Sequence, residues 1–263
     1  MKKIVIITGG TSGIGLETAK CLSNAGCAVY EFSRREADIP GIRHMRVDVS
    51  DAAQVQDAVK QVVDSEGRVD VLINNAGFGI SGAFEFTDEA DARKLMDVNL
   101  FGMNNTIRAV LPHMRAAGSG RIINLSSVAG PLPIPFQAWY SISKAAVNAL
   151  TMALANEVKP YGISVCSVMP GDIKTGFTAA REKSAAGDDV YGGRISRSVS
   201  RMEKDEQTGM DPAVAGRFIA RLALKKRVKP YNTIGILYKG CVLLSKILPG
   251  SLIRFILGEM YAK

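Results

Sequence analysis

The most constraining feature of the 263-residue chain is its first fifteen residues. Ile4-Val5-Ile6-Ile7 is an uninterrupted run of β-branched residues, broken at once by Thr8-Gly9-Gly10-Thr11-Ser12-Gly13-Ile14-Gly15. Such a run reads as a strand buried on both faces. A helical pattern follows to about residue 25. Strand, glycine turn and helix start together make the first half of a βα unit. The glycines allow a tight turn and let backbone approach a pyrophosphate closely. The helix start at Ile14 and Gly15 supplies unpaired N–H donors and a favourable dipole. A bare glycine cluster is equally a simple turn; its place between strand and helix is what points to phosphate.

The same alternation continues. Strands are expected at 28–32, 44–48, 69–74, 121–126 and 164–169, with a short one near 231–234. Between them lie helices to about residue 65, capped by Ser50 or Asp51, then at 88–117, 138–159 and 211–223. Pro112 marks the expected break or kink of the second. Strands alternating with helices imply parallel strands joined by crossovers, hence an α/β, open doubly wound parallel sheet forming one domain over 1–263. Residues 178–209 are polar, with few large apolar side chains. Following a strand end, where such sheets bind ligands, they read as a mobile substrate lid; a disordered insertion is the alternative. Residues 235–263 form an apolar and basic C-terminal extension of helical pattern. No repeat and no second domain is visible.

Composition narrows the function. At 47% hydrophobic and 22% charged, the chain is neither disordered nor fibrous. The net charge of +8 suits phosphate-bearing ligands or simple solubility. A nucleic-acid role would rest on charge alone, since no basic-aromatic module is present. Cys21, Cys27, Cys166 and Cys241 form no Cys-x-x-Cys pair, and His44 and His113 are the only histidines, so no metal site is expected. Free cysteines without a signal peptide point to a reducing cytoplasm. No apolar run approaches the ~20 residues of a membrane span.

Tyr140 and Lys144 stand four apart, on one helix face. A free tyrosine has a pKa of ~10, and a nearby ammonium favours the phenolate and lowers it. A tyrosine so tuned gives a proton to a carbonyl oxygen or takes one from an alcohol. The spacing alone is a common helical accident. With Gly9-x-x-x-Gly13-x-Gly15 and Asn74-Asn75-Ala76-Gly77 it gains weight, and the joint pattern resembles the short-chain dehydrogenase/reductase family from residue 2 to about 175, then less distinctly to about 234.

The resemblance implies a Rossmann-type fold and a catalytic set of Asn99, Ser127, Tyr140 and Lys144. Ser127 stands 13 residues before Tyr140 and would bond the substrate oxygen; Ser126 is the weaker candidate. Asn99 would hold a water linking Lys144 to solvent, and Lys144 would reach the nicotinamide ribose. Asp48 and Val49 would meet adenine. Asn75, Ala76 and Gly77 would lie beneath the cofactor, with Asn75 also able to brace the sheet. In Pro170-Gly171-Asp172-Ile173-Lys174-Thr175, the Ile173 backbone and the Thr175 hydroxyl would meet the carboxamide. Where an NAD enzyme carries an acid at the end of the second strand, this chain has Ser33 followed by Arg34. A guanidinium there suits a 2′-phosphate, with Thr11, Ser12 and Ser33 adding hydroxyls, so NADP(H) is the expected cofactor. Glu31 faces away from Phe32 and is not assigned to ribose.

The substrate pocket is expected from 78–83, 128–136 and the segment after Phe177. Ala129-Gly130-Pro131-Leu132-Pro133-Ile134-Pro135-Phe136 is apolar and stiffened by three prolines. A hydrophobic ketone or aldehyde, or its alcohol, is inferred. The region around Ser127 and the long extension resemble hydroxysteroid and retinol dehydrogenase-like members. A 3-oxoacyl-carrier reductase is the nearest catalytic rival, and a non-catalytic NADP(H)-binding regulator is a reading of another class. Helices 88–117 and 138–159 are expected to pair in a homodimer or homotetramer, as in the family. For the tail three roles stand open: peripheral contact with a membrane, a cover for the pocket, or a subunit interface.

Overall fold

The computed structural model describes residues 2–263. The chain runs β1 (Ile4–Thr8), α1 (Gly13–Asn24), β2 (Ala28–Ser33), β3 (Ile42–Arg46), α2 (Ala52–Glu66), β4 (Val71–Asn74), β5 (Ile80–Ser81), α3 (Glu89–Met96), α4 (Gly102–Ala116), β6 (Gly120–Leu125), α5 (Ala138–Val158), β7 (Ile163–Met169), α6 (Phe177–Ala180), β8 (Glu182–Lys183), α7 (Arg194–Gln207), α8 (Pro212–Leu224), β9 (Tyr231–Thr233), α9 (Ile236–Leu244) and α10 (Gly250–Tyr261). Seven strands form one parallel sheet in the order β3-β2-β1-β4-β6-β7-β9. The order reverses direction between β1 and β4, which opens a crevice at the strands' carboxyl ends.

Helices cover both faces, which is why the central strands are apolar throughout rather than alternating. On one side Ile6, Leu72 and Ile122 pack with Val59 of α2, Ile107 of α4 and Val147 of α5. On the other Val5, Ile73 and Val168 pack with Leu22 of α1 and Ile219 of α8. α1 and α8 approach so closely that a Cβ on Gly216 would lie 2.7 Å from Glu17. Of the two expected caps, it is Asp51 that closes the start of α2, accepting from the amides of Ala53 and Gln54 at 2.9 and 3.1 Å.

One expectation needs correction, and one alternative falls. The break in helix 88–117 falls at a π-helical turn, Asp97–Phe101, and not at Pro112, which α4 carries without interruption. The segment 178–209 is not a structureless insertion: β8 pairs with β5, and the fourteen-residue α7 follows. Its buried side, Ile195, Ser198 and Met202, is sparse in apolar residues, so the sequence hides the helix.

Candidate active site

The crevice holds a cavity of about 710 Å³. It runs from the glycine turn, past Ser33, Arg34, Asp48 and Val49, to Ser127, Tyr140 and Lys144. Every catalytic and cofactor-binding residue expected from the sequence lines it, Asn99 excepted, whereas of the expected substrate stretches 78–83 and 128–136 only Phe78, Val128, Ala129 and Ile134 do.

At one end the backbone makes the cradle. Gly9 and Gly13 have φ of 66° and 54°, conformations that side chains disfavour. A Cβ on Gly15 would meet the Gly9 carbonyl at 2.3 Å, and one on Gly9 the Ala76 Cα at 3.0 Å. The turn is braced from two sides. Asn75 Nδ2 donates to the carbonyls of Thr8 and Gly9 at 3.0 and 2.9 Å, and Thr8 Oγ1 accepts from the amides of Asn75 and Ala76. Buried Glu31 accepts from the Gly10 amide at 2.8 Å and from Ser33 Oγ at 3.2 Å, and pairs with His44 Nδ1 at 2.6 Å. Asn75 and Glu31 therefore shape the cradle, and the Asn75 amide is spent on that bracing. The sequence leaves Glu31 without a role because its partner lies 21 residues upstream in another loop. Ser33, Arg34 and Arg35 line the cavity just beyond, and among the described residues no acid engages either arginine.

At the other end stand the reactive groups. Tyr140 and Lys144 are buried on α5, with Lys144 Nζ 5.5 Å from the centre of the tyrosine ring. The Tyr140 hydroxyl is hydrogen-bonded to Ser127. Ser127 Oγ also accepts from the Ala129 amide at 3.1 Å, which fixes its rotamer. Ser126 instead donates to the Lys144 carbonyl at 2.8 Å, a purely structural bond. Lys144 Nζ donates to the Leu125 carbonyl at 3.0 Å, and burial pulls its pKa down to about 8. Burial pushes Tyr140 up to about 12, with the Ser127 bond pulling the other way. The expectation that Tyr140 is held below its ordinary value is thus reversed: desolvation of the phenolate outweighs the Ser127 hydrogen bond and the positive charge of Arg181.

Asn99 sits behind the wall. It centres the π turn, accepts from the Phe78 amide at 3.0 Å, donates to the Phe78 carbonyl at 3.0 Å and contacts Ser143 Oγ at 3.2 Å. A Cβ on Gly77 would lie 2.9 Å from Asn99 Oδ1 and 3.7 Å from Lys144 Nζ, so the three converge.

Within the pocket, Phe177 packs on Tyr140 with ring centres 5.6 Å apart. Behind it buried Arg181 stacks on Phe177 and pairs with Glu206. Phe78, Val128, Ala129, Ile134 and Ala180 supply apolar lining, as the sequence implies. Glu182, Glu206 and Tyr261 also line the cavity; the sequence points to the segment after Phe177 and leaves the tail open as a cover, but singles out none of the three. Glu182 reaches it on β8, which pairs with β5, and Glu206 and Tyr261 because α7 and α10 fold back over the crevice, which no local signal encodes.

A glycine cradle, an arginine-edged groove, and Ser127 beside the buried Tyr140 and Lys144 in one cavity fit a dinucleotide and a carbonyl side by side. The short chain dehydrogenase family model matches residues 3–186. This protein is a short-chain dehydrogenase/reductase. It is 42% identical to a 3-ketodihydrosphingosine reductase of Bacteroides thetaiotaomicron, over 99% of this chain and 98% of the relative. Its fold superposes on a short-chain dehydrogenase from Streptomyces avermitilis with a TM-score of 0.85 at 30% identity, covering 98% and 95% of the two chains. ElxO, solved with NADP bound, matches with a TM-score of 0.76 at 28% identity over 91% of this chain and all of that one. As a family member the chain is an oxidoreductase acting on a CH–OH group or its carbonyl. Among the described residues, no cluster of potential ligands could hold a metal ion.

Proposed function

We propose that this short-chain dehydrogenase/reductase uses NADP(H) to reduce the ketone of a long-chain amphiphile, with 3-ketodihydrosphingosine as the leading candidate. The observation that carries the substrate is the full-length 42% identity to a reductase of that name. The family model stops at residue 186, whereas that relative matches through the C-terminal extension that walls this pocket. The reading therefore moves from a steroid or retinoid to an alkyl keto amine. Glu182 supports it, because a carboxylate suits a cationic amine. One of its oxygens accepts from Lys94 at 2.6 Å and the other is buried and unpartnered among the described residues, whereas Glu206 is taken up by Arg181 and Thr178.

Bound NADPH supplies the hydride. Thr175 stands against Gly13, where a Cβ would meet it at 3.3 Å, and so joins the carboxamide segment to the cradle. Ser127 holds the substrate oxygen and Tyr140, neutral at physiological pH, gives it a proton. Lys144 stands behind Tyr140 to restore that proton. Arg34, with Ser33 and Thr11, would receive the 2′-phosphate. ElxO, which holds NADP, supports this choice by similarity. The exposed Phe101 and Ile142 support pairing of copies through the α4 and α5 side.

The test is NADPH oxidation with 3-ketodihydrosphingosine, a steroid ketone, retinal and a 3-oxoacyl thioester. We expect the first to give the highest kcat/KM, and Tyr140→Phe to lower it by roughly 10²–10⁴-fold. Preference for the thioester would select the acyl-carrier reading, to which the basic surface is suited. Full activity in Tyr140→Phe would sink the mechanism.

A further inference from the structure

α9 and α10 turn an apolar face outward. In α9 and the turn after it, Ile236, Leu237, Leu243, Leu244 and Ile247 recur at helical spacing on one side, with Ile236 89% and Ile247 69% exposed. In α10, Leu252, Phe255, Ile256 and Met260 do the same, with Phe255 63% exposed. Single exposed apolar residues are ordinary; nine within 25 positions are not.

The opposite sides of these helices are already engaged. Val242 is buried. Tyr238 donates to Asp172 at 2.6 Å, and its ring fills the space a Cβ on Gly171 would need. Tyr261 donates to Asp205 at 3.2 Å and lines the active-site cavity, and Arg194 Nε donates to the Ala262 carbonyl at 2.6 Å. The apolar face is thus not the inner side of a badly packed helix. It is a second face, held in place by the first.

Charge identifies what covers it. Residues 225–263 contain eight Lys and Arg against the single acid Glu259, a net +7 of the chain's +8. Lys239 of α9, Lys246 of the turn after it and Arg254 of α10 are exposed. A second copy seated on the same face in a symmetric pair would set these cations against their own copies. An anionic bilayer offers acyl chains for the apolar stripe and phosphates for its basic flanks. No helix among the described residues is long and apolar enough to cross a membrane, so the contact is with its surface.

We propose that α9 and α10 form an interfacial platform that lies on an anionic lipid surface and holds the active-site cavity against it. Tyr238 and Tyr261 tie that platform to Asp172 and to the cavity wall. That the bilayer also delivers substrate rests on the long-chain reading above; the lipid contact itself does not.

The experiment is co-sedimentation of the full chain with vesicles of phosphatidylcholine, with and without phosphatidylserine, alongside Leu237→Ser/Leu244→Ser/Phe255→Ser and Lys239→Glu/Arg254→Glu. We expect the intact protein to bind the anionic vesicles roughly tenfold better than the neutral ones, and added salt to weaken that binding. Both variants should remain in the supernatant while reducing a small water-soluble ketone as fast as the parent. Equal partitioning of parent and variants overturns the proposal. So does loss of a dimer in the serine variant by sedimentation velocity without vesicle binding by the parent, which would assign the face to a second copy. If the parent binds vesicles but fails to reduce an embedded 3-ketodihydrosphingosine, the substrate reading falls and the lipid surface stands.

Discussion

At the scale of single residues, Lys144 combines a cost in stability with a role in chemistry. It is buried beside Tyr140 without a carboxylate partner, and burial alone pulls its pKa from 10.5 to about 8. The unfolded chain therefore binds this proton below about pH 10.5 and the folded chain only below about 8. Where the unfolded state holds more protons, stability rises with pH. Lys144 thus burdens the fold most at neutral and acid pH, by up to about 3 kcal/mol, and not at all above both values. We expect Lys144→Met to raise Tm at pH 7, with the gain shrinking towards pH 10.5, while ketone reduction is lost. In the parent enzyme, kcat for reduction should fall above about pH 8 as Lys144 deprotonates. Thermal melts and a pH profile of kcat check both; an unchanged Tm difference across this range would contradict the account. Arg34 carries a different role. A charged, bidentate contact to phosphate contributes about 1.5–3 kcal/mol. Arg34→Leu should therefore raise KM for NADPH roughly 10–100-fold and leave KM for NADH unchanged. Steady-state kinetics with the two nucleotides would show otherwise if 2′-phosphate binding resided elsewhere.

Among the elements, the π turn at Asp97–Phe101 has the clearest cause. A regular helix would leave Asn99 pointing its amide into apolar neighbours. The widened turn lets that amide bond both the N–H and the C=O of Phe78, as a neighbouring strand would. Polar Asn99 amid Leu95, Val98 and Phe101 is visible in the sequence, but the conversion of one helical turn is not, because the partner backbone lies 21 residues away. Asn99→Leu should lose about 1–3 kcal/mol of stability, through the two orphaned backbone groups, and lower kcat by shifting Phe78 and Gly77 against Lys144. Chemical denaturation read beside kcat tests this. A fall in stability with kcat intact would confine Asn99 to bracing. α7 teaches a related lesson. Its sequence is polar because only one narrow side meets the protein, and its place over the crevice comes from Arg181 and Thr178, both of which bond Glu206.

For the whole molecule, β-branched strands, glycine turns and capped helices were legible in the chain, since each depends on neighbours within a few residues. The parallel sheet followed, because strands alternating with helices leave few other topologies. So did most of the cavity lining, since strand ends in this topology converge on one crevice. What folding alone decided involved groups distant in sequence. Desolvation raised Tyr140 against the value its neighbour suggested and lowered Lys144. Glu31 turned inward to Gly10, Glu182 and Glu206 entered the cavity, and α10 brought Tyr261 to its wall while α9 and α10 left an apolar face outside. The amino-acid order by itself determined the sheet, the cradle and which side chains are capable of the chemistry. The tertiary structure decided their protonation, their company and their exposure, because burial and long-range contact come into being only when the chain is packed.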